Sequence, residues 1–247
     1  MASKRVRVIA GPNGSGKTTL YFFLKSQINM GLWLNADEIL EQFRRKGFIE
    51  YSILGFVPEK ITFNKYCKTK SALSFINQFS IAGEIEKVNF GEFGLTFSDK
   101  KISNETVAFL TDFFRFFLAK GSIPFSTETV LSHPSKLLFF QSLKKRHFKT
   151  YLYFVATSSP EINIGRIKSR VIKGGHTVSA IKTKERFFRS ISLLKKSVKI
   201  FDRVYIFDNS ERELKLIVSF SNGIVDKIFE PKMPEWLNVL AINKKDE

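Results

Sequence analysis

The chain has 247 residues, 43% of them hydrophobic, and a formal net charge of +17. That length suits one large domain, or one domain with an insertion, and is enough for a sizeable core. No apolar run approaches the roughly 18 residues a membrane helix needs. Cys67 is the sole cysteine, which excludes an internal disulfide and a cysteine-built metal cluster. The opening Met-Ala-Ser-Lys-Arg runs straight into a strand-like segment, so we expect no signal peptide and a cytoplasmic protein.

The first predicted strand, residues 5–10, is short and apolar. It is followed by Gly11-Pro12-Asn13-Gly14-Ser15-Gly16-Lys17-Thr18-Thr19, and a helix is predicted over 18–28. Strand, glycine loop and helix in that order fit the phosphate-binding pattern G-x-x-x-x-G-K-[ST]. The glycines let the backbone curl so that successive N–H groups face one anion, and the helix N-terminus adds its positive end. Lys17 can then reach the β- and γ-phosphates, and the Thr18 hydroxyl can ligate Mg²⁺. The motif implies a bound nucleoside triphosphate, ATP or GTP.

Further strands are predicted at 32–35, 123–127, 150–156 and 203–207. Helices are predicted at 37–46, 104–120, 134–147, 160–173 and 179–199. Gly121 looks like the left-handed residue that ends the helix before it. Ser158 and Glu161 have the spacing of a capping box. The alternation predicts an α/β fold, a P-loop NTPase/kinase-like parallel sheet covered by helices on both faces. Residues 48–103 break the rhythm and read as an inserted segment within a kinase-like domain of residues 1–230. Residues 214–229 read as a C-terminal β-hairpin turning at Asn222-Gly223. Residues 231–247 read as a tail.

Two compositional features need a place. Phe occurs 27 times, often in neighbouring pairs such as Phe22-Phe23 and Phe113-Phe114, which we read as core and interface filling. Residues 141–200 hold fifteen Lys/Arg against Glu161 and Glu185, a local net charge of +13. Such a block is a solvated helix face, a nucleic-acid surface or a set of phosphate clamps.

In an open α/β sheet, ligands bind beyond the carboxyl ends of the strands. Asp37, after the second predicted strand, is the candidate general base for an acceptor hydroxyl; its alternative role is helix N-cap. Glu128 and Thr129, after the third, are candidates for the Mg²⁺ shell and the acceptor. Arg170 and Arg186 lie on helices either side of Lys173-Gly174-Gly175-His176-Thr177, an arrangement suited to a lid that brings guanidinium groups onto a transferring phosphate. Asp208-Asn209-Ser210, after the fifth strand, reads as an Asx turn.

Taken in series, Gly-Pro-Asn-Gly-Ser-Gly-Lys-Thr-Thr, Asn-Ala-Asp-Glu-Ile, Thr-Glu-Thr, Arg-Ile-Lys-Ser-Arg-Val with Gly-Gly-His-Thr-Val, and Phe-Asp-Arg-Val-Tyr-Ile-Phe-Asp-Asn-Ser resemble the zeta-toxin family, and within it a branch of small P-loop ATPases. The resemblance covers residues 5–47 and 104–230. It implies a kinase fold, ATP/GTP-dependent phosphorylation of a small hydroxylated acceptor such as UDP-N-acetylglucosamine, and an antitoxin protein as partner. It places the family's base on Asp37, its P-loop lysine on Lys17, its substrate threonine on Thr129, and its phosphate arginines near Arg170 and Arg186. The family's substrate-binding acid on the helix before the third strand has no clean counterpart, since Glu105 and Asp112 both fall beside it. Two other readings stay open: a polynucleotide or RNA-directed kinase, and a regulatory ATPase that binds nucleotide without transfer.

Overall fold

The structure, a computed structural model, describes residues 4–98, 101–172 and 178–240. The chain divides into two compact units. One takes the residues up to Met30 and from Ser126 onward; the other is Gly31–Phe125.

The chain opens with β1 (Arg5–Ala10) and α1 (Lys17–Lys25). The second unit follows with β2 (Leu32–Leu34), α2 (Ala36–Lys46), β3 (Ile49–Glu50), α3 (Tyr51–Leu54), α4 (Lys60–Cys67), α5 (Lys70–Phe79), α6 (Ala82–Glu86), β4 (Val88–Phe90), β5 (Gly94–Phe97) and α7 (Asn104–Lys120). The first unit resumes with β6 (Phe125–Thr129), α8 (Ser135–Lys145), β7 (Lys149–Ala156), α9 (Pro160–Ile172), α10 (Ala180–Ile200), β8 (Arg203–Asp208), β9 (Lys215–Ser221), β10 (Ile224–Ile228) and a short 3₁₀ helix, Glu235–Leu240.

The strands of the first unit run in the order β10-β9-β8-β7-β1-β6. β1 pairs parallel with β7, and β7 parallel with β8. β9 and β10 are antiparallel additions, so the sheet is mixed with a parallel centre. Central strands of this kind are buried on both faces, which is why they read as near-continuous apolar runs. Val6, Val8, Ile9, Leu152, Phe154, Val204 and Ile206 are all fully buried. The hairpin turns at Asn222 (φ 51°) and Gly223 (φ 86°), the pair of positive φ values that suits the strand twist.

The second unit is built on α7. Ser103 caps it, its hydroxyl accepting from the Thr106 N–H at 3.1 Å. Phe109 and Phe113 are fully buried on its inner stripe. Phe63 packs edge-on against Phe113 at 5.0 Å, and Tyr66 sits 5.3 Å from Phe109. Residues 48–103, which show no rhythm in the sequence, hold short helices and a three-stranded antiparallel sheet in the order β3-β5-β4. Burial pushes the Cys67 thiol up to about 11, so it stays protonated and unreactive at neutral pH.

Several local expectations are corrected. Gly121 has φ −75°, and the left-handed residue is Ser122 at φ 57°. That turn and the missing N–H of Pro124 delay β6 by two residues, so Glu128 and Thr129 end the strand instead of following it. α9 starts at Pro160, so Ser159 is the flanking residue, and the Ser159 hydroxyl bonds Glu161. The Glu161 carboxyl is held below its ordinary value by its own backbone N–H and that hydroxyl. Phe22 and Phe23 are not core: they are 61% and 45% exposed on α1.

Candidate nucleotide site

The loop between β1 and α1 is glycine-rich because its backbone leaves the ordinary L-residue regions three times. Gly11, Gly14 and Gly16 have φ of 149°, 78° and 100°. Neighbours close in where side chains are missing. A Cβ on Gly14 would stand 2.6 Å from the Asn163 carbonyl oxygen, and one on Gly16 would stand 2.1 Å from Asn209 Nδ2.

Side chains from two other elements hold the loop by its main chain. Asn163, fully buried in the first turns of α9, donates from Nδ2 to the Asn13 carbonyl at 2.6 Å. The Thr157 hydroxyl in turn donates to Asn163 Oδ1, which fixes the amide's orientation. Asn209, just past β8, donates from Nδ2 to the Ser15 carbonyl at 2.9 Å. Its own N–H donates to Ala156 O at 2.8 Å. Gly11 N–H donates to Thr129 O at 3.3 Å, tying the loop to the end of β6. The loop is therefore held from the carboxyl ends of β6, β7 and β8.

Lys17 is 7% exposed. A buried ammonium requires partners, and Lys17 has two: Nζ donates to Pro12 O at 3.1 Å and lies 3.6 Å from Glu128 Oε1. Arg186, on α10, reaches the loop from the other side, with Nη1 3.4 Å from Asn13 Oδ1. Thr18 and Thr19 are exposed in the first turn of α1. The Ser15 hydroxyl oxygen is buried without a hydrogen-bond partner, the kind of orphan polar atom that calls for an explanation. Thr129 Oγ1 accepts from the N–H of Leu131, which is held at φ 54°. A left-handed non-glycine residue is the sort of backbone strain that clusters at functional sites.

The structure thus brings Gly11, Pro12, Asn13, Gly14, Ser15, Gly16, Lys17, Thr18, Thr19, Glu128, Thr129 and Arg186 together. Arg170 lies further along α9, on the wall of an open groove. Residues 173–177, the expected lid hinge, lie outside the described residues. Asp37 belongs to the second unit. There the α2 cap is Asn35, whose Oδ1 accepts from the Asp37 N–H at 2.9 Å, so the Asp37 carboxylate is exposed and not spent on capping. Asp208 makes the expected Asx turn, Oδ1 accepting from Ser210 N–H at 2.8 Å. Its other oxygen accepts from Trp236 Nε1 at 2.6 Å, which docks the 3₁₀ helix beside β8.

Sequence reasoning missed Asn163, and it grouped Asn209 with a plain turn. Their signal was positional: each is a polar residue at the carboxyl end of a parallel strand or in the first turns of the helix after it.

Among the described residues, no group of three or more His, Cys, Asp or Glu side chains could hold a metal ion. No helix among them is long and apolar enough to cross a membrane.

No family model matches the chain, and no curated protein matches its sequence. Solved structures do resemble it. The AvrRxo1-ORF1:AvrRxo1-ORF2 complex with sulphate ions matches with a TM-score of 0.52 at 14% identity, over 91% of this chain and 60% of that one. The same complex with ATP matches with a TM-score of 0.51 at 13% identity, again over 91% and 60%. A chain of the PezAT chromosomal toxin–antitoxin system of Streptococcus pneumoniae covers 89% and 72% at 13% identity, with a TM-score of 0.48. This chain spans about three-fifths of the length of the AvrRxo1 chains it matches. At such identities the likeness shows the fold, an α/β sheet of the P-loop kinase kind.

Proposed function

We propose that the chain is a P-loop phosphotransferase that moves the γ-phosphoryl group of ATP or GTP to a hydroxyl of a small acceptor. The observation that supports this most is the loop itself. Three glycines in positive φ are clamped by Asn163 and Asn209, and a buried Lys17 is balanced by Glu128. A loop of this shape presents backbone N–H groups to an anion.

The residues fit the nucleotide and its cation. The loop 11–16 would hold the phosphates, Lys17 the β- and γ-oxygens, and the Thr18 hydroxyl the Mg²⁺, with Glu128 in its outer shell. The nucleotide supplies the transferable phosphoryl group, and Mg²⁺ neutralises charge as it moves. This chain's own residues do the rest. Glu128 holds Lys17 beside the loop, and Arg186 and Arg170 contribute guanidinium groups for phosphate oxygens. Asp37 accepts the acceptor's hydroxyl proton, and Thr129 helps to bind the acceptor.

The first acceptor to test is UDP-N-acetylglucosamine, on the strength of the zeta-toxin resemblance, with an antitoxin protein as partner. Incubation with Mg-ATP and UDP-N-acetylglucosamine, read by mass spectrometry, is expected to yield a phosphorylated sugar nucleotide. Unchanged sugar nucleotide from a folded, ATP-binding sample removes that acceptor. Asp37→Asn is expected to lower transfer at least about 100-fold, within the range for a positioned acid–base group; full activity would remove Asp37 as base.

A further inference from the structure

The tail after the hairpin does more than pack. Its 3₁₀ helix, Glu235–Leu240, lies against α10, and Trp236 packs on Phe154 of β7 with ring centroids 6.2 Å apart. A phenylalanine would serve that packing. What the indole adds is its N–H, which donates to Asp208 Oδ2 at 2.6 Å. Both partners are buried: Trp236 is 8% exposed and Asp208 9%. A carboxylate in such a place requires donors, and a buried indole N–H requires an acceptor.

The other Asp208 oxygen has a different task. Oδ1 accepts from Ser210 N–H at 2.8 Å, closing an Asx turn whose middle residue is Asn209. Asn209 is the residue that grips the phosphate loop, donating from Nδ2 to Ser15 O at 2.9 Å. It has little room to move, since a Cβ on Gly16 would stand 2.1 Å from that same Nδ2. The far end of the turn is fixed too: the Ser210 hydroxyl accepts from Ser158 N–H at 2.7 Å. Contacts therefore run in order from Trp236 to Asp208, Asn209 and Ser15.

We infer that Trp236 is a positioning residue for the phosphate loop, acting through Asp208 and Asn209 and resting on the nucleotide reading above. The indole N–H anchors one carboxylate oxygen from the tail side and leaves the other to close the turn. Without that anchor the carboxylate is free to rotate, the turn loosens, and the Asn209 amide loses its fixed direction toward Ser15. A side-chain donor holds a loop only while its own backbone is held. The 3₁₀ helix thus belongs to the nucleotide machinery.

The test is a double-mutant cycle on the whole chain, read by titration calorimetry with Mg-ATP. Trp236→Phe keeps a ring on Phe154 and removes the N–H. It is expected to weaken Mg-ATP about fivefold, the fold-change of one hydrogen bond's net worth. Asn209→Ala should weaken it at least as much. The double variant should bind no more weakly than Asn209→Ala alone, because the indole then has nothing to position; losses at independent sites add. Asp208→Asn keeps the side-chain shape and should show the same non-additivity with Asn209→Ala, which covers a Trp236→Phe that fails to fold. A spectroscopic readout is independent of these. Trp33 and Trp236 are the two tryptophans of the chain, so Trp33→Phe leaves Trp236 as the reporter. Mg-tripolyphosphate is expected to shift its emission, and Asn209→Ala in that background should abolish the shift. Unchanged Mg-ATP affinity in a folded Trp236→Phe overturns the inference, as do losses that add across the cycle or an emission that ignores tripolyphosphate. Failure of the wild type to bind Mg-ATP overturns the nucleotide reading itself.

Discussion

The two units are specified by different chemistry. In the first, the functional loop is held by single directional bonds: Asn163 to Asn13, Asn209 to Ser15, Lys17 to Pro12 and Glu128. In the second, the interior is aromatic. Phe63, Tyr66, Phe109 and Phe113 contact one another at ring separations of 5.0 to 6.4 Å, without one bond that dominates. Directional bonds fix atoms in place, which a phosphate-transfer loop needs. Aromatic packing supplies bulk stability and tolerates exchange of one apolar residue for another of similar size. A phenylalanine-rich chain can absorb its compositional bias in the second way but not in the first.

Phe113→Ala should show the largest effect on that contrast. The side chain is fully buried, and large-to-small changes of this kind cost about 3–5 kcal/mol. Chemical denaturation should show this loss, whereas Phe113→Leu should lose much less. Comparable losses for both would mean that specific ring geometry matters in this unit too. Lys17→Ala is the counterpart in the first unit. Removing a preorganised charge donor lowers turnover about 100- to 1,000-fold, and a steady-state assay should show this with little change in the denaturation midpoint.

Asn209→Ala is a smaller change. It removes one hydrogen bond, worth about 1 kcal/mol net, from a residue that touches the loop by its carbonyl. A drop in nucleotide affinity larger than the drop in stability would show that the loop's shape is the quantity Asn209 controls.

The smallest effect lies in pH. Burial pushes the Asp202 carboxyl up, but the N–H and hydroxyl of Thr150, at 2.8 and 2.9 Å, and the Lys144 ammonium, at 2.9 Å, outweigh it and hold it low. A carboxyl depressed in the folded state adds stability above its unfolded pKa, near about 4. That contribution is lost as pH falls through the lower folded value. Asp202→Asn should therefore flatten the fall in stability below about pH 4, measured as thermal midpoint against pH. An unchanged acid limb would remove Asp202 from the account.

The same contrast explains what could be read from the sequence. The central strands were legible because burial on both faces leaves apolar runs. The phosphate loop was legible because its glycines are required by backbone shape. The hairpin was legible through Asn222-Gly223. The small sheet β3-β5-β4 was not, because strands of two to four residues are too short to show alternation. Asn163 and Asn209 were not, because an asparagine that grips a loop 150 or 194 residues away looks in sequence like any turn or helix asparagine. Phe22 and Phe23 misled because adjacency does not tell whether another element covers the helix: Phe113 and Phe114 are adjacent too, and both are fully buried.

The most direct test of the central claim follows the γ-phosphate. ATP labelled there is incubated with Mg²⁺, a pool of small hydroxylated metabolites including UDP-N-acetylglucosamine, and either the wild-type chain or Lys17→Ala. The account predicts that label moves to an acceptor with the wild type and stays in ATP with Lys17→Ala. Label that stays in ATP with a folded wild type that binds the nucleotide contradicts it.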